Sequence, residues 1–112
     1  TTDPMLLPMG IGYPYWKYLD DYDQFKEAIA VKIPMLILQG ERDYQVTMDD
    51  FKLWQQKLAK RSDVTYKSFP KLNHLFMTGI GPSIPAEYDI KSNVAKEVAD
   101  EISSWLKAQG AY

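Results

Sequence analysis

The sequence predicts an α/β fold built on a parallel βαβ unit, and three observations predict it. First, the apolar run Met35–Leu38 is bounded by Pro34 on one side and Gln39-Gly40 on the other. A short, wholly apolar run with turn residues at its ends is the mark of a strand buried on both faces, as in a parallel sheet. Second, Phe51, Trp54 and Leu58 recur at helical spacing in the next stretch, which makes an amphipathic helix. Third, Val64–Phe69 reads as another strand. A crossover of this length makes the two strands parallel and the connection right-handed.

Taken in order, residues 1–22 carry Pro4, Pro8 and Pro14, Gly10 and Gly12, and the aromatics Tyr13, Tyr15, Trp16, Tyr18 and Tyr22. Prolines at this density exclude a long regular helix. The stretch is expected to be an irregular arm with one short turn near Tyr15–Leu19. It reads as a linker packed by its own aromatics, and the other reading is a wall of a substrate pocket. Asp23 suits the N-cap of a short helix over 24–30, with Phe25 and Ile29 on one face.

Pro34 then opens the central strand, about 35–39, where its missing N–H costs least. Thr47 is placed to cap a helix over about 48–60. Asp49 and Asp50 fall in its first turn, and Lys57, Lys60 and Arg61 at its end, complementing the helix dipole at both ends. The strand over 64–69 alternates in character and holds Lys67 at its middle, as expected near a sheet edge. A loop rich in Gly and Pro spans about 73–88. The last helix, about 91–108, is expected to bury the stripe Val94, Val98, Ile102 and Trp105, with Gly110 as its stop.

Composition bounds the function. The 112 residues give room for one small domain, and the 46% hydrophobic and 25% charged fractions are those of an ordinary folded chain. A net charge of −2 and the absence of a basic cluster argue against a nucleic-acid partner. No apolar run approaches the ~20 residues that a membrane-spanning helix needs. With 0 cysteines, disulfides and thiolate metal sites are excluded. The opening Thr1-Thr2-Asp3-Pro4 has no methionine and no targeting pattern, so a fragment or processed product is expected.

The polar residues of interest are Asp43 and His74. Each follows a predicted strand by a short interval, and parallel neighbours end on the same rim, where ligands and chemistry collect in open α/β sheets. A carboxylate that orients an imidazole is the supporting half of a nucleophilic triad. On residues alone, such a pair is more often a surface ion pair or a loop staple. A metal site built from His74 with Asp43, Glu41 or Glu87 lacks any ligand spacing, so no metal and no cofactor is expected.

The run Pro34-Met-Leu-Ile-Leu-Gln-Gly-Glu-Arg-Asp-Tyr-Gln-Val46, a strand followed by G-x-x-D-x-x-V, resembles the acid strand of the α/β-hydrolases. Phe69-Pro-Lys-Leu-Asn-His-Leu-Phe76 resembles their histidine loop. The likeness covers about 23–108 and is greatest to the serine esterase, dienelactone-hydrolase or peptidase-like branch. It implies that 23–112 is the C-terminal βαβα portion of such a domain, with Asp43 as triad acid and His74 as general base. It also implies a small ester or peptide substrate.

One departure from that family is plain: no G-x-S-x-G elbow occurs in these residues, although the family orders its triad Ser, Asp, His. Ser62, Ser68, Ser92, Ser103 and Ser104 fall on predicted strands, helices or their approaches, and Ser83 lies after the histidine in a turn. No nucleophile is therefore assigned, and the chain is expected to be inactive alone. The alternative is a non-catalytic module that binds a small ligand or a protein. An unpaired edge on the 35–39 strand is expected to promote a homo-oligomer.

Overall fold

The computed structural model describes residues 3–111, so the outermost ends of the two expected portions, at 1–2 and 112, lie outside the described residues. The chain packs as two units, Thr1–Lys32 and Ile33–Tyr112.

In the first unit, two 3₁₀ turns at Pro4–Leu6 and Pro8–Gly10 precede helices α1 (Tyr13–Asp21) and α2 (Gln24–Ala30). α1 is longer than the single short turn expected near Tyr15–Leu19. Pro14 lies in its first turn, where no intrahelical N–H bond is lost and the fixed φ suits the helix. The arm is therefore half regular. Its aromatics pair locally: Tyr15 meets Trp16 edge-on at 5.3 Å, Tyr18 lies 6.0 Å from Tyr22, and the Trp16 indole donates to the Ile11 carbonyl at 3.0 Å. α2 keeps its expected bounds, and the Asp23 carboxylate accepts from the Phe25 and Lys26 amides at 3.0 and 3.1 Å, satisfying two donors that a bare helix end would leave orphaned.

In the second unit, strand β1 (Met35–Gly40), helix α3 (Met48–Lys57), strand β2 (Val64–Phe69) and helix α4 (Lys96–Ala108) follow in order, with a 3₁₀ turn at Pro85–Asp89. β1 and β2 pair in parallel, Met35 opposite Val64 through Gly40 opposite Phe69. Among the described residues β1 has no second strand partner, so Met35–Leu38 are only half-buried and not the doubly covered strand expected. β2 alternates between half-buried and exposed positions along Val64–Ser68, as the edge reading requires.

α3 ends at Lys57 instead of about 60, because Leu58 leaves helical geometry and the chain closes in turns. Leu58 is nevertheless among the most buried residues, beside Phe51 on the inner face of α3. Phe51 meets Tyr66 of β2 edge-on at 6.0 Å, a geometry that aromatic quadrupoles favour. At the N-terminus the Asp50 carboxylate accepts from the Thr47 amide at 3.1 Å, the carboxylate limb of a capping box.

α4 starts at Lys96, five residues later than expected, since Ala95 is extended and its amide donates to the Phe76 carbonyl at 2.9 Å. That bond ties the helix entrance to the segment after His74. Of the expected stripe, Val94 and Ile102 are exposed, while Val98 is buried and Trp105 half-buried. The core gathers Phe69, Leu72 and Val98, with Leu38, Phe76 and Ala95 packed against it. It sits beneath the carboxyl ends of both strands.

Candidate functional site

The loops leaving β1 and β2 meet over this core. They approach so closely that Gly40 is required: a Cβ there would fall 2.5 Å from the Asn73 carbonyl oxygen and 2.6 Å from that of Leu72. Both obstacles are backbone, so neither can swing aside. Backbone bonds seal the contact, from Glu41 N–H to the Phe69 carbonyl and from Arg42 N–H to the Leu72 carbonyl, each 3.0 Å.

Within the first loop the Asp43 carboxylate is divided. Its Oδ1 accepts from the Gln45 and Val46 amides at 2.8 and 2.9 Å, an Asx-type turn that holds the side chain in place. Gln39, buried at the end of β1, donates to the Val46 carbonyl at 2.6 Å and to the Gly40 carbonyl at 3.0 Å. The G-x-x-D-x-x-V spacing thus has a physical reason. The glycine admits the neighbouring loop, the aspartate caps its own turn, and the valine carbonyl anchors that turn to the strand.

The second carboxylate oxygen is left for the histidine. Asp43 Oδ2 lies 2.8 Å from His74 Nδ1, with the Asp43 side chain 6% exposed and that of His74 36%. An ionised carboxylate only accepts hydrogen bonds, so the contact places the proton on Nδ1 and leaves Nε2 as the basic nitrogen. The two residues singled out in the sequence are therefore brought together, in the orientation a general base requires. Among the described residues no serine hydroxyl is hydrogen-bonded to His74. Ser68 donates to Glu41 at 2.9 Å, and Ser83 is buried at 5% exposure.

His74 is carried by a turn under strain. Phe76 has φ +57°, an uncommon region for a bulky residue, and its ring packs edge-on against Phe69 at 6.3 Å. Asn73, 1% exposed, holds the turn from inside. Its Oδ1 accepts from the Leu75 and Met77 amides at 2.9 and 3.0 Å, and its Nδ2 donates to Glu87 Oε1 at 3.1 Å.

Glu87 also receives Arg42, whose Nη2 lies 2.6 Å from Oε2. Arg42 reaches further, from Nε to the Gly81 carbonyl at 2.7 Å and from Nη1 to that of Lys71 at 3.3 Å. Gly79 lies flat on the guanidinium, since a Cβ there would fall 2.6 Å from Arg42 Cζ. The Arg42 hydrogen bond and charge hold the Glu87 carboxyl below its ordinary 4.5, helped by Asn73 and Ser83 and opposed by partial burial.

Beside the pair, a depression of about 850 Å³ is lined by Glu41–Tyr44, Pro70, Lys71 and the 78–83 loop. It reaches Asp43 but not His74. At its rim Tyr44 stacks on Tyr88 at 6.1 Å, and the Tyr88 hydroxyl donates to Gln45 at 2.8 Å. Desolvation, then Tyr44 and the Asp43 and Glu87 charges, raise the Tyr88 phenol above its ordinary 10.0.

Among the described residues no cluster of three or more His, Asp or Glu side chains converges as a metal site would require. Glu41 and Glu87 are engaged by Ser68 and by Arg42 and Asn73. No helix among the described residues is long and apolar enough to cross a membrane. Sequence reasoning gave no role to Arg42 and Asn73, although each adjoins a singled-out residue. It named Glu87 only as a metal candidate, because a partner many residues away along an irregular loop leaves no spacing to read.

Comparison with known proteins agrees with this architecture. The model of the dienelactone hydrolase family matches residues 13–109. Esterase EstD of Thermotoga maritima is 41% identical over 98 residues, which are 88% of this chain and 24% of that protein. The chain thus spans about a quarter of the length of the curated relative it matches. No solved structure matches.

Proposed function

This chain belongs to the dienelactone hydrolase family, a family of α/β-hydrolase fold, and from that premise we propose that it supplies the acid and the base of an esterase active site. Asp43 is the acid and His74 the base. The nucleophile, a serine on a strand-to-helix elbow, comes from outside these 112 residues. The observation that carries the reading is the 2.8 Å contact between His74 Nδ1 and a largely buried Asp43 carboxylate.

In this assignment Nε2 of His74 takes the proton of the serine hydroxyl as its oxygen attacks the ester carbonyl. Asp43 stabilises the resulting imidazolium. The same proton passes to the leaving alcohol as the tetrahedral intermediate collapses to an acyl-enzyme. Water, deprotonated by the same imidazole, then releases the acid. The oxyanion hole in this fold is built from the elbow and an earlier loop, so these residues alone are inactive. The substrate class is a small-molecule ester, by likeness to the relative named an esterase, and which ester is accepted is decided by pocket residues beyond the pair.

The test is hydrolysis of short-chain p-nitrophenyl esters by the 112-residue chain and by the protein in which this segment accompanies its serine. The first is expected to show no turnover. In the second, Asp43→Asn and His74→Ala are each expected to lower kcat by about 10⁴. Turnover by the isolated chain that His74→Ala abolishes would overturn the assignment of the nucleophile. Wild-type kcat in both variants of the longer protein would overturn the assignment of the pair.

A further inference from the structure

The network beneath the pair has a feature that the Asp43–His74 contact does not itself require. The residue preceding the acid and the residue preceding the base meet on one carboxylate. Arg42 Nη2 reaches Glu87 Oε2 at 2.6 Å, and Asn73 Nδ2 reaches Glu87 Oε1 at 3.1 Å. We infer that Glu87 is a positioning residue that holds His74 against Asp43, acting through Arg42 on the acid loop and Asn73 on the base loop. Its catalytic consequence rests on the assignment of the pair above, and its geometric consequence does not.

The Asp43–His74 contact is a single hydrogen bond to an imidazole that is 36% exposed, so water competes for it. The turn that carries His74 is strained at Phe76, φ +57°, and such a conformation persists only while its surroundings hold it. Glu87 opposes this by joining the two loops at a second point. Arg42 and Glu87 are well shielded, with side chains 8% and 18% exposed. The guanidinium is fixed by the Gly81 and Lys71 carbonyls, so the carboxylate it grips is a rigid anchor.

The chemistry of the linkage singles out a carboxylate. Both partners donate. The Asn73 amide cannot turn over to offer its oxygen, because Oδ1 already accepts from the Leu75 and Met77 amides. Only an ionised carboxylate accepts on both atoms. A glutamine presents one acceptor and one NH₂ group, and so must lose either Arg42 or Asn73. Glu87→Gln, nearly equal in volume, therefore separates positioning from packing. A packing role tolerates it, and the inferred role does not.

The experiment uses the protein in which this segment accompanies its serine, with Glu87→Gln, Glu87→Ala and Arg42→Lys. The first readout is kcat and KM on a p-nitrophenyl ester. Glu87→Ala is expected to lower kcat by roughly 10- to 100-fold, the scale of a small misplacement of a reacting group. Glu87→Gln should fall in the same range, with KM nearly unchanged in both. The second readout is the Nδ1 proton of His74 by NMR with ¹⁵N-histidine, assigned by its loss in His74→Gln; His74 is the 1 histidine of this sequence. Its resonance should broaden or exchange away in both Glu87 variants, and in Glu87→Gln this should occur under conditions well below its unfolding midpoint.

Where Glu87→Ala does not fold, Glu87→Gln and Arg42→Lys carry the same readouts. A single ammonium cannot reach Gly81, Lys71 and Glu87 together. A Glu87→Gln protein with wild-type kcat and an unaltered His74 signal overturns the inference. If Asp43→Asn and His74→Ala leave kcat intact while Glu87→Gln still loosens the His74 proton, the catalytic assignment falls and the positioning role stands.

Discussion

Asn73→Ala removes the side chain that holds the histidine turn from inside, and the structure sets the size of the effect. The substitution strips the Leu75 and Met77 amides of their shared acceptor. Met77 is half-buried, and an orphaned donor there costs about 1–3 kcal/mol. Leu75 is exposed, so water recovers part of its loss and the cost is nearer the net value of one bond, about 1 kcal/mol. Together these make roughly 2–4 kcal/mol of local stability. The two amides flank Phe76, φ +57°, so losing them frees the one strained residue in the turn and concentrates the opening at 74–77. By amide hydrogen exchange, Leu75 and Met77 should exchange roughly 30- to 700-fold faster, at tenfold per 1.4 kcal/mol, while the β1 amides change less. The urea midpoint should fall as well. Wild-type exchange at both amides and a stability within about 0.5 kcal/mol of wild type would refute the reasoning, because Asn73 would then not be the anchor of the turn.

Other consequences follow from the same contacts. Gly40→Ala forces a Cβ to within 2.5 Å of the Asn73 carbonyl oxygen; stability should fall by about 1–3 kcal/mol, read by urea unfolding, with the His74 Nδ1 proton lost as the loops part. Phe51→Ala, at a site 6% exposed and packed edge-on against Tyr66, should cost about 3–5 kcal/mol without altering that proton.

Stability should also depend on Glu87 at acid pH. Its folded-state carboxyl titrates below the ordinary 4.5, so the unfolded chain binds more protons in that window. The contribution is therefore present above the unfolded value and lost as pH falls through the folded one. Urea midpoints measured from pH 6 to 3 should fall less steeply in Glu87→Gln than in wild type. Finally, the open edge of β1 is a template for pairing, so the isolated chain should self-associate, and a monomer in sedimentation velocity at high concentration would argue against it.

What the sequence by itself determined are the features set by local chemistry and periodicity. The bounds of α2 and β2 follow from the Asp23 cap and from alternation ended by Pro70. The apolar run at Met35 marked β1, and Asp43 and His74 were legible as a candidate pair because each follows a strand by a short interval. Helix ends were less legible. α4 begins at Lys96 because the Ala95 amide is drawn to Phe76 across the fold, and no residue near 91 signals that. α1 exceeded expectation since proline breaks a helix only beyond its first turn.

Tertiary structure alone decided how the two loops are joined. Gly40 reads locally as a turn residue, yet its use is to let the Leu72–Asn73 backbone pass. Arg42 and Asn73 read as loop polars beside more interesting neighbours, and Glu87 as a stray carboxylate. That both neighbours donate to the same carboxylate depends on the path of the 78–90 segment in space, and no spacing along the chain encodes that path. Periodicity reports which side of an element faces a core. It is silent about which irregular segments, brought over the end of a sheet, will share a charge.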